Sequence, residues 1–310
     1  MTEATTASHR FHTLDVFTGT AFGGNQLAVF PDARTIPEHA LLAITREFNF
    51  SEVVFCYPPE NPAHTKRLRI FTPGAEVPFA GHPTVGSAIA LHVLSGASGD
   101  AEMVLEEGVG PVPVTIRALG NGAFFAQFSV AKLPEFGAQA PSRGKLAEIL
   151  ALDAEDILGA PSAPLGVSCG LPFLIVPLRS VEAVSRVRLR YEAWESTLKS
   201  SWASEIFVFA RDPEGGAAHY RARCFVPGLS VPEDPATGSA NACLAGYLAS
   251  RAVEKDGTMR WTVDQGVEMG RPSRIEIEAD KTAGAITAVR VGGTAVFVTE
   301  GTLCLPSSTA

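Results

Sequence analysis

The 310-residue sequence predicts an α+β protein of two related halves, each a curved sheet wrapped on one buried central helix. Three observations carry this. Glycine (29) and proline (22) are frequent, which points to many short elements joined by tight turns. Two segments, 83–94 and 235–250, are apolar nearly all round, the pattern of a helix buried on every side. The chain also repeats itself. RIFTPGAEVP (69–78) matches RCFVPGLSVP (223–232) at an offset of 154 residues, with Arg69/Arg223, Phe71/Phe225, Pro73/Pro227, Gly74/Gly228, Val77/Val231 and Pro78/Pro232 identical. At an offset of 152 the match continues through Pro83/Pro235 and the shared GSA of 86–88 and 238–240. Ser51-Glu52 matches Ser204-Glu205 in the same phase. A period this long excludes a solenoid.

Taken in order, strands are predicted at 11–17, 27–30, 52–57, 67–71 and 112–116, β-rich runs bounded by Gly, Pro or Thr. The run 123–130 alternates weakly. Helices follow at 142–150 and 153–158, and strands resume at 174–177, 206–210, 219–225, 274–278 and 295–299. The halves are placed at 1–131 and 132–310, with central helices at 83–94 and 235–250 and the last strand, 295–305, packing back on the first half.

Composition narrows the function. Apolar residues make up 46% and charged residues 19%, so most of the chain is not a disordered one. The net charge is −8 and no basic run occurs, which argues against nucleic acid. No stretch approaches about 18 apolar residues and the first ten are polar, so neither a membrane span nor a signal peptide is read, and a cytoplasmic location is expected. Cys56, Cys169, Cys224, Cys243 and Cys304 include no C-x-x-C pair, and the seven histidines include no H-E-x-x-H. No metal or disulfide framework is expected.

In the repeat register His82 stands opposite Asp234, each just before a proline at the start of a helix. Two readings are open. Either residue caps its helix, or the two helix N-termini, with their free N–H groups, would converge on one anion-binding cleft. Gly81, Gly238 and Ser239 would let the backbone approach a carboxylate. Cys243, well inside its helix, reads as a small buried hydrophobe. GVSCG (166–170) spells a nucleophile elbow, but a β-like LPFLIVP follows where a helix is required, so Ser168 reads as part of a turn. Arg271 reads as structural or as a substrate contact.

FAGHPT (79–84), EDPATGSA (233–240), Gly24-Asn25 with Leu27-Ala28-Val29, and Gln265-Gly266 followed by GRPS (270–273) occur together in one order. The set resembles the PhzF-like family of phenazine-biosynthesis isomerases, with the diaminopimelate-epimerase-like fold, over about 11–298. The resemblance implies two pseudo-symmetric halves, each a mostly antiparallel sheet around a central helix, with the site in the cleft between them. It implies a homodimer needing neither cofactor nor metal. Glu52 would be the general acid/base, with His82 and Asp234 completing the catalytic cluster and Ser51 and Asn25 joining Gly81, Gly238 and Ser239 in binding a small carboxylated substrate. A glutamate facing an apolar cleft would have its pKa raised by desolvation. Glu205, in the same Ser-Glu setting, has no role to carry over. Two departures stand out. Gln26 replaces the family's proline in the GNP turn, and no cysteine sits at either helix start, which excludes a two-thiol racemase. Epimerisation, dehydration and isomerisation all begin with proton abstraction beside a carboxylate and stay open, as does a non-catalytic small-anion binder of the same fold.

Overall fold

The computed structural model describes residues 6–215, 219–229 and 231–306. In chain order the strands and helices are β1 (Thr6–Val16), β2 (Asn25–Phe30), α1 (Leu41–Phe48), β3 (Glu52–Tyr57), β4 (Lys66–Phe71), β5 (Glu76–Val77), α2 (Gly81–Leu94), β6 (Ala101–Glu107), β7 (Gly110–Gly120) and β8 (Ala123–Ser129). Then come β9 (Glu135–Gln139), α3 (Arg143–Leu150), β10 (Leu165–Ser168), β11 (Pro172–Pro177), α4 (Val181–Arg186), α5 (Tyr191–Thr197) and β12 (Glu205–Arg211). The last are β13 (His219–Val226), β14 (Val231–Asp234), α6 (Gly238–Arg251), β15 (Gly257–Gln265), β16 (Ser273–Thr282) and β17 (Ala285–Pro306). The chain divides into two compact units. Unit 1 comprises Met1–Phe22, Gln26–Ala126 and Thr294–Ala310, and unit 2 comprises Gly23–Asn25 and Gln127–Gly293.

In unit 1, β2 and β3 pair in parallel, β3 and β4 antiparallel, β4 and β6 in parallel, and β6 and β7 antiparallel. The sheet is mixed: antiparallel pairings predominate, and two parallel steps interrupt them. Parallel neighbours need a crossover, and α1 supplies it between β2 and β3, as α2 does between β4 and β6. The two helices cover opposite faces of β3. Val53, Phe55 and Phe71 pack with Leu41 and Ile44 of α1, while alternation turns Val54 and Cys56 the other way. Both faces being covered explains why VVFCY (53–57) is an unbroken apolar run rather than an alternating one. α2 buries Gly81 through Ala90 and His92. A Cβ on Gly86 would stand 2.6 Å from Leu27 Cδ2 and from Val16 Cγ2, so only glycine lets the helix lie this close to β1 and β2.

Unit 2 runs through the same four pairings: β11 with β12 parallel, β12 with β13 antiparallel, β13 with β15 parallel and β15 with β16 antiparallel. The registers of repeated residues coincide. Val53 faces Phe71 and Phe55 faces Arg69, as Ile206 faces Phe225 and Val208 faces Arg223. Arg69 lies over the Phe71 ring at 5.1 Å and Arg223 over Phe225 at 5.0 Å. Ile206, Val208 and Ala210 pack with Ala183 and Val184 of α4, and Phe209 meets Tyr247 of α6 at 5.7 Å.

Several expectations need correction. The helix expected at 153–158 is one 3-10 turn, Ala154–Asp156. Asp153 and Asp156 bond each other's backbone, and Ile157 is already extended and bridged to Leu178. α2 begins at Gly81 with Ala80 as N-cap, so His82 lies inside the first turn and caps nothing. Pro83 is tolerated there because the first four helical N–H groups lack intrahelical acceptors anyway. α6 begins at Gly238, not Pro235. Asp234 ends β14, and Thr237 is the N-cap, with no side-chain bond to its own helix. Three helices, α1, α4 and α5, have no counterpart in the sequence reading. Among the described residues no helix is long and apolar enough to cross a membrane.

Candidate active site

Glu52 is the first residue of β3, beside Leu27 of β2. Its Oε2 lies 3.4 Å from Nε2 of His82, in the first turn of α2. The His82 side chain is 4% exposed and that of Glu52 is 17% exposed, so the carboxyl keeps an opening that the ring lacks. Burial pushes His82 down to about 3, against a hydrogen bond to the Gln26 backbone that acts in the opposite sense. The ring is therefore neutral at pH 7, and the Glu52 contact is a polar one rather than an ion pair. Gln26, where the family has proline, has an exposed side chain; its backbone is the part that meets the ring.

Glu205 occupies the equivalent start of β12 but a different environment. It is buried, its Oε1 accepts from the Ser204 hydroxyl at 2.7 Å, and its Oε2 accepts from the Gly228 N–H at 3.2 Å. A Cβ at residue 228 would stand 2.2 Å from Glu205 Oε1, so the Pro227–Leu229 turn closes directly over the carboxyl. Burial raises its pKa, opposed by those two hydrogen bonds. The same dipeptide is thus open in unit 1 and sealed in unit 2.

Within unit 2, Asp234 centres a buried network. The Asn25 amide donates to Oδ1 at 2.9 Å and to the Ala236 carbonyl at 3.1 Å. The Thr237 hydroxyl donates to Oδ2 at 2.5 Å. Gln265 Nε2 donates to the Asp234 carbonyl at 2.8 Å and to the Thr237 hydroxyl at 3.0 Å, and Gln265 Oε1 accepts from Asn241 at 2.9 Å. Burial raises the Asp234 pKa, with the Thr237 and Asn25 bonds pulling against it. Thr237, Asn241 and Gln265 carried no assigned role in the sequence reading. All three lie within or directly beside quoted motifs, and that was their only signal.

The remaining expected site residues fall as follows. Gly81 and Gly238 open α2 and α6, both buried, and Ser239 is half-buried in the first turn of α6. Ser51 is half-buried just before β3. Arg271 donates to the Gly23 and Gly24 carbonyls at 2.6 and 2.7 Å, a structural task that holds the turn leading into Asn25. Ser168 ends β10 in a hairpin to β11 and accepts from Gly170 N–H at 3.1 Å, so no nucleophile elbow exists there. Cys243 is buried, which raises its thiol well above the usual range. Among the described residues, no three His, Cys, Asp or Glu side chains are grouped to hold a metal ion.

Comparison with known proteins places these residues in context. The family model described as phenazine biosynthesis-like protein matches residues 14–301. An uncharacterized isomerase from Mesorhizobium japonicum is 43% identical over 292 residues, 93% of this chain and 96% of its own length. A trans-2,3-dihydro-3-hydroxyanthranilate isomerase from Pseudomonas fluorescens is 34% identical over 96% of this chain and 100% of its own. The crystal structure of a phenazine biosynthesis protein of the PhzF family from Bacillus anthracis superposes with a TM-score of 0.84 at 27% identity, covering 96% of this chain and 99% of that one. With the fold and the sequence matched over nearly the whole length, the chain belongs to the phenazine biosynthesis-like family and is an isomerase.

Proposed function

We propose that this isomerase moves a proton on a small carboxylate-bearing substrate, without cofactor, with Glu52 as the single general acid/base. The observation that carries the reading is the contact between Glu52 and a neutral, buried His82 at 3.4 Å. His82 orients the carboxyl without fixing its charge. Within unit 2, the first-turn N–H groups of Gly238 and Ser239, beside Asn25 and Asp234, offer a place for an anionic group. The contrast with Glu205, sealed by its own turn, supports one base rather than an opposed pair. The expected homodimer and cytoplasmic location belong to the same proposal, and light scattering on the purified chain tests the first.

The Pseudomonas fluorescens relative is named for trans-2,3-dihydro-3-hydroxyanthranilate, which makes that compound the first probe. Diaminopimelate, hydroxyproline and simple α-amino acids complete the panel. Each is incubated with the protein in D₂O and followed by NMR for deuterium entering at carbon. Exchange into one compound supports proton transfer and names the substrate class. Binding without exchange would favour an anion-binding protein of the same fold.

A further inference from the structure

Glu107 ends β6, inside unit 1, and is buried. The proton transfer proposed above makes no use of it. Its Oε1 lies 2.8 Å from the hydroxyl oxygen of Thr84, and that hydroxyl oxygen also lies 2.8 Å from the Ala80 carbonyl. A threonine hydroxyl has one proton to donate. If Thr84 donates to Ala80, the contact with Glu107 is completed by a proton on the carboxyl. The other carboxyl oxygen favours this arrangement. Oε2 is buried with no hydrogen-bond partner among the described residues, a costly position for half of an ionised carboxylate and a milder one for a neutral acid. Burial pushes Glu107 up to about 8.

The charged neighbours do not neutralise it. Glu107 lines a cavity of about 450 Å³ with Glu60, His64, Arg67, Arg69, Glu76 and Glu106. These are engaged with one another. Arg67 pairs with Glu60, Arg69 with Glu76 and Glu38, and Glu106 with His64 and the Glu60 and Asn61 N–H groups. From α2, the titratable group in the same turn is His82, which faces Glu52. The next residues grip the other end of the same loop. A Cβ on Gly108 would stand 2.7 Å from Pro78 Cα, and Val109 N–H donates to the Pro78 carbonyl at 3.1 Å.

We propose that Glu107, carried as a neutral acid, is a positioning residue: it donates to Thr84, Thr84 donates to the Ala80 carbonyl, and this relay locks the 80–84 turn that holds His82 against Glu52. The proposal rests on the function assigned to Glu52 and His82, but its test does not depend on that function being right. Infrared difference spectra of the whole protein at pH 6, wild type minus Glu107→Gln, should show a protonated-carboxyl band that fades as pH rises through about 8. Glu107→Ala and Thr84→Val should both shift the His82 ring resonances in NMR, and Glu107→Gln, whose amide still donates, should leave them in place. With trans-2,3-dihydro-3-hydroxyanthranilate as probe, exchange should fall tenfold or more in Glu107→Ala and Thr84→Val. It should decline above about pH 8 in the wild type and stay level in Glu107→Gln. Absence of the infrared band, or His82 resonances unmoved in a folded Thr84→Val, would overturn the proposal. If no probe exchanges with the wild type, the function reading fails, and the infrared and NMR arms still decide the role of Glu107.

Discussion

Replacing Asp234 by asparagine changes one oxygen to a nitrogen in a buried site where both carboxyl oxygens already accept hydrogen bonds. The wild-type carboxyl only accepts: Asn25 donates to one oxygen and Thr237 to the other. An asparagine must turn its NH₂ toward one of them. If it faces Asn25, two donors collide. Flipping Asn25 relieves that collision but turns an oxygen toward the Ala236 carbonyl, which now accepts from Asn25 at 3.1 Å. If it faces Thr237, the hydroxyl must accept a second donor, because Gln265 already donates to it at 3.0 Å, and it must release its own proton elsewhere. No arrangement keeps all the bonds, so one buried polar group is orphaned, at a cost of about 1–3 kcal/mol. At about 2–4 °C per kcal/mol for a body of this size, Asp234→Asn should melt some 2–12 °C below the wild type at pH 7. The gap should depend on pH. The folded-state pKa of Asp234 is raised, so the wild-type group favours the folded state most at low pH and loses that contribution as pH rises through its folded value. The asparagine cannot titrate. The gap between the two proteins should therefore be widest in acid and narrow as pH rises. Differential scanning calorimetry from pH 4 to 8 reads both quantities. A variant that melts with the wild type across that range would refute the network as a restraint on the α6 start.

Other predictions follow from single contacts. Gly86→Ala puts a Cβ 2.6 Å from two side chains in unit 1 and should destabilise by about 1–3 kcal/mol in urea titrations. Gly228→Ala drives a methyl into Glu205 Oε1; it should lower the melting temperature by a few degrees yet leave proton exchange at wild-type rates, because the proposed base is Glu52. His82 is neutral when folded, with its pKa pushed to about 3, below the unfolded value. Its contribution to stability is thus fully present above about pH 6.5 and is lost as pH falls toward 3, and His82→Gln should lessen the acid sensitivity of the urea midpoint.

How much of this was legible in the sequence depended on what each residue does. The repeat was legible because identical residues perform identical tasks. Arg69 and Arg223 lie over a phenylalanine two residues on, and the glutamates at 52 and 205 open equivalent strands. The repeat could not show that one glutamate is open and the other sealed, since that difference lies in the turn over residue 205. The helix starts were misplaced because proline at the first helical position is a tendency, and Pro235 follows a residue still paired to β13. Strand direction was not legible, because a strand covered on both faces and an antiparallel one can show the same short apolar run. Glu107 was invisible. Nothing in LEEGVG singles it out, and only the fold brings it under Thr84.

Deuterium exchange in D₂O, run in parallel on the wild type and Glu52→Gln, tests the central claim most directly. The substitution preserves shape and removes only the ability to take up a proton. General acid/base catalysis being worth about 10²–10⁴ in rate, exchange into the responsive probe should fall at least about a hundredfold, with its binding little changed. Exchange that persists at the wild-type rate in Glu52→Gln would contradict the account and shift the base to another carboxyl, with Asp234 the first to examine.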